Sequence, residues 1–399
     1  MEDVRVVETG VLMTVDFLGR LLGDEGADVV KVETPQLGDY LRNIMTRFAP
    51  DWSTFHLTLN RNKRSLTCDA KTAEGRQVLA KLIAGADIFI TGNVGDTNTR
   101  LGLHYDAVKA IKPDIVYCQA TGFGASGPYA QVPTHGQMMD ALGGGAAPMA
   151  IDERGFVMPT GQAVGSSGGV VMGPLYAAFA VAAGLARARQ TGEGCYIDVS
   201  CADAVLAGKW LGATAMLNPE LVDPASARGG GDGTGSAKYQ HYETKDGKYI
   251  LFCAIEAKFW EHWCRAVGRE DLLGDHRKDL VVDFGDGEGN LRLEIQKVFH
   301  TRTQAEWMQV ATDHDIALGP ALRFDEIQTD PHLQARDQIV TEQHPVFGPI
   351  LTLGTPIVVA GKALNIESAP ALGQHTDEVL AELGYDESAR EKLRANGVV

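Results

Sequence analysis

Apolar residues follow two alternating rhythms along the first two hundred positions. VRVVETG (4–10) is a short apolar run that reads as a strand. TVDFLGRLLGDEG (14–26) spaces its apolar positions three and four apart, as an amphipathic helix does, and ADVVKVET (27–34) returns to a strand. RSLTCDA (64–70) is another strand. TAEGRQVLAKLIAGA (72–86) is a helix with Thr72 placed to cap its first turn and a glycine-containing stop at its end. DIFITGN (87–93), a helix from about Tyr105 to Ile111, and DIVYCQATGFG (114–124) continue the alternation, as do the strand GEGCYIDVS (192–200) and the helix ADAVLAGKWLGATAML (202–217). Near-continuous apolar strands alternating with helices predict a parallel, doubly wound α/β sheet covered on both faces.

The rhythm changes at LVDPASARGGGDGTGSAKYQ (221–240), a loop rich in Gly, Ser and Asp. YETKDGKYILFCAI (242–255) has a hairpin turn at Asp246–Gly247 and opens a second, smaller α/β module. The expected division is a large domain of residues 1–225 and 350–399 and a small one of 226–349 with its linkers. No internal repeat is visible.

Composition narrows the class. The 399 residues are 44% hydrophobic and 22% charged, as in a globular protein with a substantial core. A net charge of −16 argues against nucleic-acid partners and anionic membranes, but leaves room for a local basic pocket. The six cysteines, at 68, 118, 195, 201, 253 and 264, form no C-x-x-C pair and read as buried thiols. The acidic amino terminus passes directly into a strand, so no signal peptide is expected, and a reducing cytoplasm is the expected location. The small-residue run 168–186 is interrupted by Gly173, Pro174 and Gly184, and reads as a helix of a core or subunit interface rather than a membrane span. No G-x-G-x-x-G opens a helix after the first strand, so no nicotinamide site is expected, and no metal site is expected either.

Six segments in series carry a resemblance. They are VVKVETPQLGDYLR (29–42), LNRNKRSLTCDAKTAEGRQVL (59–79), TGFGASGPYA (121–130), RQTGEGCYIDVSCADAVL (189–206), YETKDGKYILF (242–252) and GQHTDEVLAELGY (373–385). In order and spacing they resemble the class III CoA-transferases, a family that includes formyl-CoA transferase, carnitine CoA-transferase and α-methylacyl-CoA racemase. The resemblance spans nearly the whole chain. It implies a large Rossmann-like CoA-binding domain, a smaller α/β domain, and two protomers threaded through each other as linked rings. It also implies CoA thioesters and carboxylic acids as substrates, with no tightly bound cofactor.

The resemblance assigns residues. Lys31, Arg42, Arg61, Lys63, Arg64 and Arg100 lie at or just past strand ends, where open α/β sheets bind ligands and where CoA phosphates need cations. GNVGDTNTRLGL (92–103) resembles the family loop whose Asn and Arg, here Asn93 and Arg100, stand beside the nucleotide. Where relatives carry an Ala-Gly-Pro-type stretch along the CoA pantetheine, this chain has Thr14, Val15 and Asp16, which would narrow the passage or repel an anion. Arg228 and the glycines Gly229, Gly230 and Gly231 align with a glycine-rich loop that covers the active site in formyl-CoA transferase. Gly143 to Gly145 form a second turn of this kind.

The family's central carboxylate is missing. In the transferases an Asp attacks the thioester, becoming a mixed anhydride and then an aspartyl-CoA thioester; in the racemases it shares an α-proton with a His. Its position here falls on Gly165 or Ser166, and neither is a carboxylate. His135 in THGQMMDALGG (134–144) aligns with the racemase base, and Asp140 lies five residues on, where relatives often have Gln. Ser166 and Ser167 lack a G-x-S-x-G setting and suit helix capping better than nucleophilic attack.

Three functions are therefore open: the Asp-lacking subunit of a heteromeric CoA-transferase with a catalytic paralogue, a division resembling that of succinyl-CoA:(R)-benzylsuccinate CoA-transferase; a self-sufficient homodimeric transferase, racemase or isomerase using His135 or Asp140; or a non-enzymatic acyl-CoA-binding homologue.

Overall fold

The computed structural model describes residues 1–160, 168–223, 236–276, 281–285, 289–363 and 365–399. The chain divides into two compact units, one of Met1–Leu217 with Asp337–Val399 and one of Asn218–Arg336.

The first unit opens with β1 (Arg5–Thr9), α1 (Met13–Asp24), β2 (Asp28–Glu33), the short hairpin β3 (Arg47–Ala49) and β4 (Trp52–Ser53), and α2 (Thr54–Leu59). It continues through β5 (Lys63–Thr67), α3 (Ala73–Ala84), β6 (Ile88–Thr91), α4 (Thr97–Leu101), α5 (Tyr105–Ile111) and β7 (Val116–Thr121). Then come α6 (Gly136–Asp140), a hairpin of β8 (Met149–Ile151) and β9 (Val157–Pro159), α7 (Gly168–Thr191), β10 (Cys195–Ser200), α8 (Cys201–Gly208) and α9 (Trp210–Leu217). The second unit holds β11 (Tyr239–Glu243), β12 (Tyr249–Cys253), α10 (Ala257–Ala266), α11 (Gly289–Phe299), α12 (Gln304–His314), β13 (Leu318–Ala321) and α13 (Pro331–Ala335). The chain then returns to the first unit with β14 (Ile339–His344), β15 (Gly348–Leu353), α14 (Thr376–Glu382) and α15 (Glu387–Ala395).

Six strands form one parallel sheet in the order β10-β7-β6-β1-β2-β5. Alternate side chains serve opposite faces. Val6, Val29, Ile88 and Ile90 pack with Leu18 and Leu22 of α1 and Ala177, Val181 and Leu185 of α7. Val7, Val30, Phe89 and Tyr117 pack with Val78 and Leu82 of α3, Val108 of α5, Val379 and Leu380 of α14 and Leu393 of α15. Each such buried aliphatic side chain stabilises the fold by about 1.5–3 kcal/mol. Thr72 caps α3 through Gly75 N–H at 2.9 Å, as its sequence predicts. The helix α7 is long and apolar enough to cross a membrane by length and composition. Its inner face is part of the core, and small residues make that approach possible: a Cβ on Gly173 would lie 2.3 Å from Cys201 Sγ.

The second unit pairs β11 with β12 across the Asp246–Gly247 turn, where Gly247 adopts φ +72°, and adds β13 antiparallel. Trp260, Trp263, Trp307, Phe252 and Phe299 fill its core. The hairpin β14–β15 belongs to the first unit. There the His344 ring packs edge-on to Trp52 at 4.7 Å, and Arg20 and Arg61 reach the backbone carbonyl of Gly354.

Candidate active site

Parallel sheets bind ligands at their carboxyl edge, where the strand order reverses. Here the reversal lies between β1 and β6. Two glycines let the loops after these strands meet: a Cβ on Gly10 (φ +146°) would lie 3.1 Å from Gly92 N, and one on Gly92 would lie 2.7 Å from Val15 Cγ2. Asn93 follows directly after β6, and Arg100 lies on α4, exposed and paired with Asp96 at 3.0 Å. These two predicted residues share the carboxyl edge. Lys71, exposed just past β5, stands on the same edge and escaped the sequence reading. The signal was its place after a strand rather than before one.

The other basic residues are used internally. Arg64 stands near the start of β5, on the opposite edge, and forks onto Asp28 (2.8 and 2.7 Å), Glu378 (2.9 Å) and Glu382 (2.7 Å). Arg61 clasps Asp24 with two nitrogens, at 2.9 and 2.7 Å. Arg42 is buried and grips both oxygens of Glu33 at 2.8 and 2.6 Å. Burial alone would raise the Glu33 carboxyl; the Arg42 hydrogen bonds, with Lys31 and Ser65, bring it down to about 2. His56, also buried, is pushed down to about 3 by desolvation and the adjacent Arg42. It is therefore neutral. Its Nδ1 faces the Asn60 amide nitrogen at 3.1 Å, and its Nε2 lies 3.0 Å from the Pro370 carbonyl, which can only accept. The Arg42 guanidinium stands 2.9 Å from the same Nε2.

Lys31 lies mid-strand in β2 and is 1% exposed. Its three donors are filled by Asp16, by Asp39 at 3.0 Å and by Glu8 at 3.2 Å. Lys63 joins the same cluster through Glu8, the Asp16 carbonyl and the Asn60 side chain, at 3.0, 2.8 and 3.0 Å. Burial would lower the Lys31 ammonium, but Asp16, Asp39 and Glu8 hold it well above its ordinary value. The Asp39 carboxylate also accepts the Leu12 N–H at 3.0 Å, at the entry to α1. Asp16, on α1, thus turns inward as part of a buried ion cluster. Lys31 as a phosphate contact is accordingly revised: its ammonium is enclosed by protein carboxylates. Arg64 is revised for a different reason, because it stands on the opposite edge of the sheet.

The segment before α6 is seated on the end of β7. A Cβ on Gly122 would fall 1.9 Å from Thr134 Oγ1, so only glycine admits that contact. His135 follows, exposed, at the cap position of α6. Asp140, at the other end of α6, is buried, and its Oδ1 accepts the Gly169 N–H at 2.7 Å in the first turn of α7. A carboxylate there is favoured by the helix dipole and by N–H groups that lack intrahelical partners. Gly165, Ser166 and Ser167, and the loop glycines Gly229, Gly230 and Gly231, lie outside the described residues. Among the described residues, no group of His, Cys, Asp and Glu is arranged to hold a metal ion.

The family model for CoA-transferase family III matches residues 1–376. The chain belongs to this family. Formyl-CoA:oxalate CoA-transferases of Escherichia coli O157:H7 and of Shigella dysenteriae serotype 1 are each 28% identical to it, over 100% of this chain and 99% of theirs. A CAIB/BAIF family protein from Brucella suis shares its fold with TM-score 0.72 and 26% identity, over 95% of this chain and 98% of that one. A Mycobacterium tuberculosis protein at 23% identity and TM-score 0.75 shares the fold, over 96% of this chain and 98% of that one. In this CoA-transferase family member the carboxyl edge therefore carries Asn93, Arg100 and Lys71, while Asp140 occupies the start of α7.

Proposed function

We propose that this chain is the subunit of a class III acyl-CoA:carboxylate CoA-transferase that lacks its own nucleophilic Asp and works beside a catalytic paralogue. What carries the proposal is the sequence reading that sets the family carboxylate's position on Gly165 or Ser166, in a chain that the family model matches over residues 1–376. A large uncovered apolar surface supports an intimate partner. No residue of α9 is buried, although it includes Trp210, Leu211, Met216 and Leu217, and Phe179 on α7 is 77% exposed. An interlocked pairing with the paralogue, in the cytoplasm, fits that surface. Such an interface buries well beyond the ~1,600 Å² of a standard complex. Co-expression with an Asp-bearing paralogue should yield a complex that co-purifies and transfers CoA. A stable folded monomer in dilute solution would refute the intimate pairing.

One observation favours a second reading, a self-sufficient enzyme. The Asp140 carboxylate already stands at the amino end of α7, with one oxygen fixed by Gly169 N–H. In that reading an Asp140 oxygen attacks the thioester carbonyl carbon, the C–S bond of the adduct breaks, and CoA leaves as thiolate, with the acyl group left on Asp140 as a mixed anhydride. The two readings separate by mass spectrometry after incubation with succinyl-CoA and hydroxylamine. The subunit reading expects no modified side chain in the isolated protein. A hydroxamate on Asp140, absent in Asp140→Asn, would establish the other.

A further inference from the structure

Three segments converge on the start of α7. Met139 packs with Cys201 and Ala202 of α8 in a small core of its own, and a Cβ on Gly169 would lie 2.6 Å from Met139 Cβ. Val205, one turn further along α8, touches both neighbours. A Cβ on Gly143 would lie 2.6 Å from Val205 Cβ, and one on Gly168 would lie 3.5 Å from Val205 Cγ2 and 3.3 Å from Asp140 Oδ1. Lys209 follows Val205 by four residues and so lies on the same side of the helix. Its backbone is held on both sides: its N–H donates to the Leu206 carbonyl at 3.1 Å, and its carbonyl accepts from Gly212 and Ala213 at 3.1 and 3.0 Å. Its ammonium reaches over the glycine turn that follows α6. Gly144 is exposed, with φ +78°, and a Cβ there would lie 3.4 Å from Lys209 Nζ. Glycine therefore serves this position twice, by admitting a left-handed backbone and by leaving room for the ammonium.

Lys209 is half-buried, and among the described residues no carboxylate or carbonyl takes its ammonium. In a chain of net charge −16 this sets it apart from Lys31, Arg42, Arg61, Lys63 and Arg64, each of which is filled by protein carboxylates. Asp140 has a free oxygen in the same place. Its Oδ1 accepts the Gly169 N–H, while Oδ2 takes no hydrogen bond among the described residues. CoA transfer brings an anion to such a spot. The thioester carbonyl is neutral, but the acceptor acid arrives as a carboxylate, and beside Asp140 its charge needs a cation. We infer that Lys209, over the Gly143–Gly145 turn, receives the carboxylate of the acceptor acid. This rests on the CoA-transferase reading. One ammonium matches one carboxylate; a phosphate dianion is gathered by several charged donors and is repelled more strongly by Asp140.

The test marks the nitrogen itself. Reductive methylation with carbon-13 formaldehyde keeps the charge of Lys209, and its resonance is the one missing from Lys209→Arg. In the full chain, succinate should shift that resonance to saturation. Dimethyl succinate, which is uncharged, and phosphate at equal ionic strength should leave it in place. Succinate binding to the unmodified chain, followed by the line width of the labelled acid, should weaken about tenfold in Lys209→Met and stay within about threefold in Lys209→Arg, as loss and retention of one charged hydrogen bond require. CoA, titrated in parallel, should bind wild type and Lys209→Met alike, whereas a merely structural role would weaken both ligands together. A resonance unmoved by succinate, or succinate binding unchanged in Lys209→Met, overturns the inference, and an equal shift by phosphate overturns the assignment to a carboxylate. The reporter in wild type decides even if Lys209→Met does not fold. CoA bound with no succinate at Lys209 overturns this inference alone. Succinate at Lys209 with no CoA bound upholds it and counts against the CoA-transferase reading, and binding of neither overturns both.

Discussion

Replacing Lys31 with methionine is expected to destabilise this protein by about 3–5 kcal/mol, the usual cost of leaving buried charge without its partner. Lys31 is the ammonium shared by Glu8, Asp16 and Asp39, all buried, and Lys63 alone cannot compensate the three carboxylates. One of them must then take up a proton or draw water into the core. Guanidinium denaturation of wild type and variant measures the loss. Asp16→Leu in the Lys31→Met background should recover part of it, because it removes one uncompensated carboxylate along with an unused hydrogen-bond acceptor. A Lys31→Met protein within 1 kcal/mol of wild type would show that the cluster is hydrated and inexpensive.

Acid should weaken the fold through two neighbouring groups. His56 binds protons at about 3 in the folded state against 6.5 when unperturbed. Between those values the unfolded chain holds more protons, so stability rises with pH and is lost as pH falls from 6.5 toward 3. Glu33 acts in the same sense lower down: at about 2 against 4.5, its contribution is present above 4.5 and lost as pH falls toward 2. At 1.36 kcal/mol per pH unit the upper bounds are roughly 5 kcal/mol for His56 and roughly 3 for Glu33. They are not additive, because both groups touch Arg42. Unfolding free energy measured from pH 7 to 4 should fall steadily, and His56→Gln should flatten the slope while lowering the plateau. A wild-type stability that is level over this range would contradict the buried neutral histidine.

Several parts of this architecture were legible from residue order. Strands buried on both faces leave near-continuous apolar runs, and helices between them keep a 3.6-residue rhythm, so β1, α1, β2, α3 and β7 were all visible. Thr72 and the Asp246–Gly247 turn act within a few residues of themselves, and local chemistry is what a sequence displays. Asn93 and Arg100 lie past the end of β6, on the carboxyl edge, because both follow a strand. Arg64 was placed by the same rule on weaker grounds: it lies near the beginning of its strand, and in a parallel sheet that is the other edge.

Other assignments depended on partners distant in the chain. Lys31 read as a cation available to phosphate, since nothing in VVKVE announces that Asp16, Asp39 and Glu8 converge on it. Asp16 read as a charge that would narrow the passage or repel an anionic ligand, yet folding turns it toward Lys31 and Asn60. The capping of α7 by Asp140 spans 29 residues. The Asn98 amide donates to the Tyr117 hydroxyl, 19 residues on, which donates in turn to the Leu103 carbonyl. The sequence by itself determined the βαβ order and the family, because periodicity and residue identity are properties of the chain alone. Tertiary structure decided which charges are consumed internally, which remain at the carboxyl edge, and which way each amide points. Those outcomes are set by contacts between segments far apart in sequence, where burial raises the cost of any unpaired group.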